Sequence, residues 1–95
     1  MHVEYTYHAR YRIRIRNISE NEVLHVLKSP HALYYDISTN SMVAIGPRTR
    51  KRAHWLIIVF VKEDNVCRVI TVIDTKSIDK IVEKRTKSGR WVPVW

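Results

Sequence analysis

The sequence predicts an α+β fold in which two N-terminal helices pack on a twisted four-stranded antiparallel sheet, followed by a C-terminal helix and a short apolar tail. A capping box at Ser19 and Glu22 marks the start of one helix. Four apolar runs separated by turn residues are typical of an antiparallel meander, and the residues after Ser77 repeat with helical spacing. The 95 residues contain no repeat or linker, so we expect one domain over residues 1–95.

The segment HARYRIRIRNIS, residues 8–19, fits two different periods. Read two residues at a time, arginines alternate with Ile13 and Ile15, as in a half-buried edge strand. Read four at a time, the segment forms a helix with a basic stripe and an apolar stripe, which are His8, Arg12 and Arg16, and Tyr7, Tyr11, Ile15 and Ile18. We favour the helix, because the next helix begins a few residues later and the two would form a helical hairpin.

A second helix is expected from about Glu20 to Lys28. The capping box supplies its start, and a stripe of valines and leucines supplies its apolar face. The helix ends before Pro30, because a proline disfavours helical geometry at the residue that precedes it.

Four strands are expected after the second helix, separated by turn residues. They cover roughly residues 31–37, 42–45, 53–61 and 66–73. The third of them contains a branched and aromatic run, which is typical of a central strand covered on both faces.

A third helix and a tail complete the chain. Candidate N-cap residues lie at 74–77, apolar residues then recur at helical spacing, and Gly89 is placed to end the helix. The tail RWVPVW, residues 90–95, is unusually apolar for a chain end. We therefore expect it to dock on its own domain or on a second copy.

Composition narrows the choice of partner and compartment. Lys and Arg total 17 against 9 Asp and Glu, and the net charge of +8 favours a polyanion such as RNA. The single cysteine, Cys67, lies in an apolar run and has no partner for an intramolecular disulfide, so we expect a buried structural thiol. No apolar run approaches the roughly 20 residues of a membrane-spanning helix. We expect a soluble, cytoplasmic protein that does not contact a membrane.

Most basic residues fall into three groups. The groups are Arg10, Arg12, Arg14 and Arg16; Arg48, Arg50, Lys51 and Arg52; and Lys76, Lys80, Lys84, Arg85, Lys87 and Arg90. Clustering favours phosphate binding, since several counterions are released together and arginine can hold a phosphate through two hydrogen bonds. The second group lies in a loop between two strands, from which side chains can reach a substrate. The lysines of the third group are equally explained by the solvated face of a surface helix.

Cleavage of RNA without a metal needs a proton acceptor for the 2′-hydroxyl and cations around the phosphate. On a helix, Arg12 lies one turn from His8, so both side chains could contact one phosphate. His54, beside the basic loop, is a second candidate for proton transfer. The histidines and carboxylates lack metal-ligand spacing and no nucleotide-cofactor motif is present, so we expect neither a metal nor a cofactor.

The pattern His8-Ala9-x-x-Arg12-x-x-x-Arg16-x-Ile18-Ser19-x-x-Glu22-Val23, followed by Pro30 and by Val69-Ile70-Thr71-Val72, resembles a group of small uncharacterised bacterial and archaeal domains. These domains look like relatives of the RelE and BrnT toxins, which are metal-independent ribonucleases neutralised by a partner antitoxin. The resemblance implies roles for His8, Arg12 and Thr71, and for Arg85 and Arg90 as a further basic group. The tail lacks the C-terminal tyrosine or histidine of the RelE pattern, which argues against RelE-style ribosome-dependent cleavage.

These observations lead to one main hypothesis and two alternatives. The main hypothesis is a metal-independent endoribonuclease of toxin type that acts on single-stranded RNA and has a protein antitoxin as a second partner. Its expected catalytic residues are His8, Arg12, His54 and Thr71, and its expected nucleic-acid-binding residues are Arg16, Arg48, Arg50, Lys51, Arg52, Arg85 and Arg90. The alternatives are a non-catalytic nucleic-acid-binding module, and a structural domain that forms a homodimer through Trp91, Val92, Val94 and Trp95.

Overall fold

The computed structural model describes residues 2–94, which form three helices and a six-stranded mixed sheet. In chain order the elements are β1 (His2–Tyr5), α1 (Tyr7–Ile15), α2 (Glu20–Lys28), β2 (Ala32–Asp36), β3 (Ser41–Pro47), β4 (Trp55–Glu63), β5 (Val66–Thr75), α3 (Ile78–Lys87) and β6 (Trp91–Pro93). The order in the sheet is β1-β5-β4-β3-β2-β6. Strands β1 and β5 are parallel, and all other neighbours are antiparallel.

The predicted four-stranded antiparallel sheet is wrong, because β1 and β6 add a strand at each edge and β1 makes the sheet mixed. These strands have only 4 and 3 residues, too few for an alternating pattern to stand out in the sequence. The sequence did not predict on which face of the sheet the C-terminal helix lies. Helices α1 and α2 pack on one face of the sheet, and α3 packs on the opposite face.

The central strands separate two hydrophobic cores. In β4, Leu56 and Ile58 pack with Val23 of α2, whereas Ile57 packs with Ile78 of α3. Successive side chains of a strand point to opposite faces, so one continuous apolar run can serve both cores. Strand β4 lies between β3 and β5, as expected of a strand that is covered on both faces.

The N-terminal basic segment forms α1, so the helical interpretation is confirmed. Thr6 caps this helix: its Oγ1 accepts a hydrogen bond from the Ala9 N–H at 3.1 Å and donates one to the Ile70 carbonyl at 2.8 Å. The second bond ties the start of α1 to β5. The helix buries Ala9 and packs Ile13 on the sheet. Of the predicted apolar stripe, Tyr7, Tyr11 and Ile15 are exposed, whereas Ile18, after the helix, is buried.

Helix α2 begins with the predicted capping box. Ser19 Oγ accepts from the Glu22 N–H, and Glu22 Oε1 accepts from the Ser19 N–H, both at 3.1 Å. The helix then lies over β3, where Val26 meets Gly46. A Cβ atom at Gly46 would lie 2.9 Å from Val26 Cγ2, so this close approach of helix and strand requires a glycine.

The tail docks on its own domain through β6. The ring of Trp91 is buried and stacks on Tyr34, with centroids 5.5 Å apart. Its Nε1–H donates to Asp36 Oδ2 at 3.1 Å. The Arg90 Nε donates to both oxygens of the same carboxylate, at 3.1 and 3.0 Å. Asp36 therefore anchors the end of the described chain to β2.

The residues expected to form a homodimer are split by this arrangement. Trp91 is buried within the domain, whereas Val92 and Val94 are exposed. Trp95 lies outside the described residues. Pro93, which has no backbone N–H, sits in the edge strand β6, where a proline is tolerated. The dimer stays a prediction.

Two other expectations concern the thiol and the membrane. Cys67 is buried in β5, and burial raises the pKa of its thiol, which suits a structural residue. Within residues 2–94, no helix has the length and apolar content needed to cross a membrane.

Replacing Gly46 by Ala should lower the free energy of unfolding by about 1–3 kcal/mol, since the added methyl group overlaps Val26 in a close-packed core. Val26→Ala should also destabilise the protein, by leaving a cavity. In the double variant the loss in free energy of unfolding should be smaller than the sum of the losses in the two single variants, because the new methyl group occupies the space that the valine leaves. Urea unfolding of the four proteins measures this coupling, and strictly additive losses would contradict the contact.

Candidate functional site

A buried polar cluster lies where three neighbouring strands meet the turn between α1 and α2. Arg48 follows β3, His54 precedes β4, and Asp74 lies near the end of β5 opposite Leu56. Antiparallel pairing of these strands brings the three residues to the same end of the sheet. Glu22, in the first turn of α2, completes the group. These residues, Arg48, Glu22, Asp74 and His54, are referred to below as the Arg48 cluster.

Arg48 is the centre of the cluster. Its Nε and Nη2 donate to Glu22 at 3.1 and 3.0 Å, and its Nη1 donates to Asp74 at 2.7 Å. Nη2 also donates to the Asn17 carbonyl at 3.0 Å, in the turn after α1. The Arg48 and Glu22 side chains are only 2% and 1% exposed. Burial of this charge pair is tolerated because further hydrogen bonds satisfy the guanidinium.

Both carboxylates of the cluster are held in the ionised form. Burial alone would raise the pKa of Glu22, but hydrogen bonds from the Arg48 side chain and from two backbone N–H groups lower it to about 2. Burial also acts against ionisation of Asp74, and hydrogen bonds from His54 and Arg48 lower the pKa of this carboxyl group. The guanidinium is therefore flanked by two negative charges.

Asp74 orients the imidazole of His54. The distance between His54 Nδ1 and Asp74 Oδ1 is 2.6 Å. An ionised carboxylate can only accept a hydrogen bond, so we assign the proton to Nδ1. Nε2 is then the nitrogen that can take up a proton from another molecule. The His54 side chain is 14% exposed, so it is not completely buried.

The loop of residues 48–54 is fixed by backbone hydrogen bonds and by the cluster. The Arg48 N–H donates to the His54 carbonyl at 2.8 Å, and the His54 N–H donates to the Lys51 carbonyl at 3.2 Å. The Arg50 N–H donates to Glu22 Oε2 at 3.3 Å. The side chains of Arg50, Lys51 and Arg52 remain exposed on this fixed loop.

A cleft of about 280 Å³ opens beside the loop, and we name it the basic cleft. Its lining residues are Arg16, Asn17, Arg48, Arg50 and Lys51. Among residues 2–94 no carboxylate lines it, since Glu22 and Asp74 are turned inward onto Arg48. Arg48 is held by these carboxylates, and the other three cationic side chains suit a phosphate group, which arginine can hold through paired hydrogen bonds.

A second cleft, of about 390 Å³, lies on the opposite side of the sheet, against α3. Its floor is made of apolar side chains from β4 and β5, and its polar lining includes Thr71, Arg85 and Arg90. Arg90 is already bound to Asp36, as described above. Arg85 is partly buried, and no carboxylate among residues 2–94 forms a salt bridge with it.

The structure distributes the predicted site residues over three places. Arg16, Arg48, Arg50 and Lys51 line the basic cleft, whereas Arg52 and His54 belong to the same loop without lining the cleft; Thr71, Arg85 and Arg90 line the second cleft; and His8 and Arg12 lie on α1. His8 is exposed in the first turn of α1, whereas Arg16 ends that helix, about 12 Å further along its axis. His8 and His54 therefore lie at different ends of the helical layer.

Sequence reasoning misses the participation of Glu22, Asp74 and Asn17. Each has a sufficient local explanation in the sequence, as a capping residue, a helix-capping candidate and a turn residue. A register argument could have found Asp74, because counting back from the turn at residues 62–65 places it near the residues that follow His54. The bond between Glu22 and Arg48 joins residues far apart in the chain, so no local pattern predicts it.

The chemistry available here is proton transfer beside an anion site. His54 supplies an oriented imidazole, and the basic cleft supplies cations for a phosphate. Within residues 2–94, no three His, Cys, Asp or Glu side chains are grouped so that they could hold a metal ion.

The sequence matches one family model over residues 5–83, with the description "Domain of unknown function (DUF4258)". The match covers α1 and α2, strands β2 to β5 and part of α3. No curated protein and no solved structure matches the chain.

Replacing Glu22 by Gln should lower the free energy of unfolding by about 3–5 kcal/mol, because it removes the negative partner of the buried Arg48. Urea unfolding at neutral pH measures the loss. Glu20→Gln is the matched control: it changes an exposed carboxylate in the same helical turn and should alter stability by less than about 0.5 kcal/mol. Equal stability of the two variants would contradict the account of the cluster.

The lowered pKa of Glu22 predicts that the stability of the fold depends on pH, and the same two variants test this dependence. The folded-state pKa of Glu22, about 2, lies below its ordinary value of 4.5. Its stabilising contribution is therefore complete above about pH 4.5 and is lost as the pH falls through about 2. Thermal unfolding between these pH values should show a steeper loss for the wild type and for Glu20→Gln than for Glu22→Gln. Parallel curves would show that Glu22 does not titrate with folding.

Proposed function

Because the chain belongs to the DUF4258 family, whose function is unknown, we argue from its own side chains and propose a metal-independent endoribonuclease that acts on single-stranded RNA. The observation that carries the proposal is the 2.6 Å contact between His54 Nδ1 and the buried Asp74 carboxylate. A histidine oriented in this way beside a cationic cleft has the parts that cleavage of a phosphodiester requires.

In the proposed reaction, His54 Nε2 takes the proton from a ribose 2′-hydroxyl. The 2′ oxygen forms a bond to phosphorus, and the bond from phosphorus to the 5′ oxygen of the next nucleotide breaks. The leaving oxygen takes a proton from water, and the imidazolium returns its proton to water. The products are a 2′,3′-cyclic phosphate and a 5′-hydroxyl end, so no oxidant, metal or cofactor enters the balance.

Cations of the basic cleft hold the substrate in this proposal. Arg16, Arg50 and Lys51 contact the phosphate that is cleaved and its neighbours, and Arg52 extends the same loop. Arg48 has a different task from the one expected in the sequence. Its guanidinium is occupied by two carboxylates, so it acts as a positioning residue that keeps Asp74 in place for His54.

The residues on α1 and in the second cleft take no part in proton transfer here. His8 and Arg12 lie away from the basic cleft, and we propose RNA contact for them instead of catalysis. Thr71, Arg85 and Arg90 form a second candidate surface for nucleic acid on the other face of the sheet. Substitutions in the basic cleft and in the second cleft can therefore be tested separately for their effects on RNA binding.

We also propose a toxin-type role of the kind found among RelE-like and BrnT-like proteins, with a protein antitoxin as partner. The N-terminal pattern from His8 to Val23 supports this relationship. The net charge of +8 and the exposed cations of the loop would favour an acidic partner surface that covers the cleft.

A non-catalytic RNA-binding module is the second candidate function. It is favoured by the low exposure of His54, whose side chain is 14% accessible, compared with the exposed cations of the same loop. Such a module would use the same cleft and loop but would leave the RNA intact. Binding by either candidate should weaken steeply as salt is raised, because phosphate contacts release counterions.

Replacing His54 by Asn separates the two candidates. The asparagine amide can still donate to Asp74 from a position close to that of Nδ1, but Nε2 is lost. Cleavage of end-labelled single-stranded RNA in EDTA should fall by at least about 100-fold. Retention of the same RNA on a filter at low salt should change by less than about 2-fold, since the cleft cations remain.

The controls are His25→Asn, an exposed histidine on α2, and His8→Asn on α1. Cleavage that survives in His54→Asn but disappears in His8→Asn would move proton transfer to α1 and refute the role of His54. Salt-sensitive retention by the wild-type protein without any cleavage would leave the binding module as the function.

A further inference from the structure

The outer face of α1 carries large apolar side chains that are exposed and belong to neither hydrophobic core of the described chain. Tyr7, Tyr11 and Ile15 are 85%, 46% and 50% exposed. Their spacing of four residues places them in one stripe along the helix, and we refer to these three residues as the tyrosine stripe. Ala9 and Ile13 on the opposite side already anchor α1 to the sheet. The tyrosine stripe is therefore not needed to attach the helix, and such a patch marks a contact surface.

Cationic side chains border the tyrosine stripe on both sides. With 3.6 residues per turn, Arg10 and Arg14 lie along one side and Arg12 lies along the other, next to the imidazole of His8. The helix contains no Asp or Glu. The guanidinium of Arg10 also lies 5.4 Å above the centre of the Tyr5 ring, at the base of the helix. The whole surface is aromatic and positively charged, which complements a polyanion that has flat apolar groups.

The row of side chains that borders the tyrosine stripe at His8 and Arg12 continues to Arg16, at the basic cleft. Arg16 ends α1 and lines that cleft. Tyr7 lies about 14 Å from Arg16 along the helix axis, at 1.5 Å per residue. One extended strand can therefore contact the stripe and the cleft at the same time.

We propose that the tyrosine stripe is the path by which single-stranded RNA extends from the basic cleft, with bases stacked on Tyr7 and Tyr11 and phosphates held by Arg10 and Arg14. The inference rests on the proposed function, because it takes the cleft as the RNA site. Stacking on aromatic rings selects unpaired bases, since every base in a duplex is already stacked. The substrate is thereby specified as single-stranded RNA that continues beyond the cleaved phosphate.

A protein partner is the other possible occupant of this face. Protein interfaces also have a polar rim, but here the charged side chains that border the three apolar ones, Arg10, Arg12 and Arg14, all have the same sign, and the helix supplies no carboxylate. Alternating cations and rings are instead typical of surfaces that bind single-stranded nucleic acid. Charge complementarity thus favours RNA.

The test compares RNA lengths. Fluorescence anisotropy measures the affinity for oligouridylates of about 4 and about 12 nucleotides, within the range of site sizes for single-strand binding. Tyr11→Ala should weaken binding of the longer RNA by about 5- to 100-fold and reduce its affinity advantage over the shorter one, because one stacking contact is lost. Tyr11→Trp should restore most of the affinity. Ile37→Ala is the control, since Ile37 is 54% exposed outside the tyrosine stripe.

Two results would overturn the inference. One is an unchanged affinity for the longer RNA in the double variant Tyr7→Ala and Tyr11→Ala. The other is a change in the mass of the double variant in solution with no loss of RNA affinity, which would identify a protein contact. Failure of the proposed ribonuclease activity can be distinguished from failure of this inference. If the wild type cleaves no RNA but the tyrosine variants lose affinity for the longer RNA, the proposed RNA path is supported and the proposed catalysis is refuted.

Discussion

The buried guanidinium of Arg48 connects parts of the chain that are distant in sequence. It contacts Glu22 at the start of α2, Asp74 near the end of β5 and the carbonyl of Asn17 after α1. Each buried charge would be costly alone, and the arrangement is stable only when every partner is present. The geometry of the helical hairpin, the sheet and the loop of residues 48–54 therefore depends on this one side chain.

Stability and the candidate chemistry share this cluster. Asp74 accepts hydrogen bonds from Arg48 through one oxygen and from His54 through the other. The imidazole is consequently oriented by a carboxylate that cannot move without disturbing the junction between α2 and β5. Orientation by a buried group is how a protein fixes a proton-transfer residue before the substrate arrives. It also means that substitutions of Glu22, Arg48 or Asp74 will affect folding and any activity together, whereas an asparagine at position 54 can keep the bond to Asp74.

Local signals in the sequence predicted local structure well. The capping box of Ser19 and Glu22 fixed the start of α2, and the spacing of arginines and tyrosines identified α1 as a helix. The same reasoning could not tell which side of α1 is buried. The helix is attached to the sheet through Ala9 and Ile13, whereas its larger tyrosine rings face solvent. The edge strands were missed since they are defined by pairing with β5 and β2 and not by their own composition.

The position of Pro93 has a consequence for how the sheet can associate. Val94 N–H donates to the Leu33 carbonyl of β2, and the Arg90 carbonyl accepts from the Ile37 N–H just after β2, so by alternation the backbone groups of Pro93 point away from β2. An additional strand arriving at β6 would find no donor at Pro93. Association through Val92 and Val94 would have to rely largely on side-chain contact, because a three-residue edge strand that lacks this donor supplies only an incomplete backbone ladder for joining two sheets into one or for propagating a fibril.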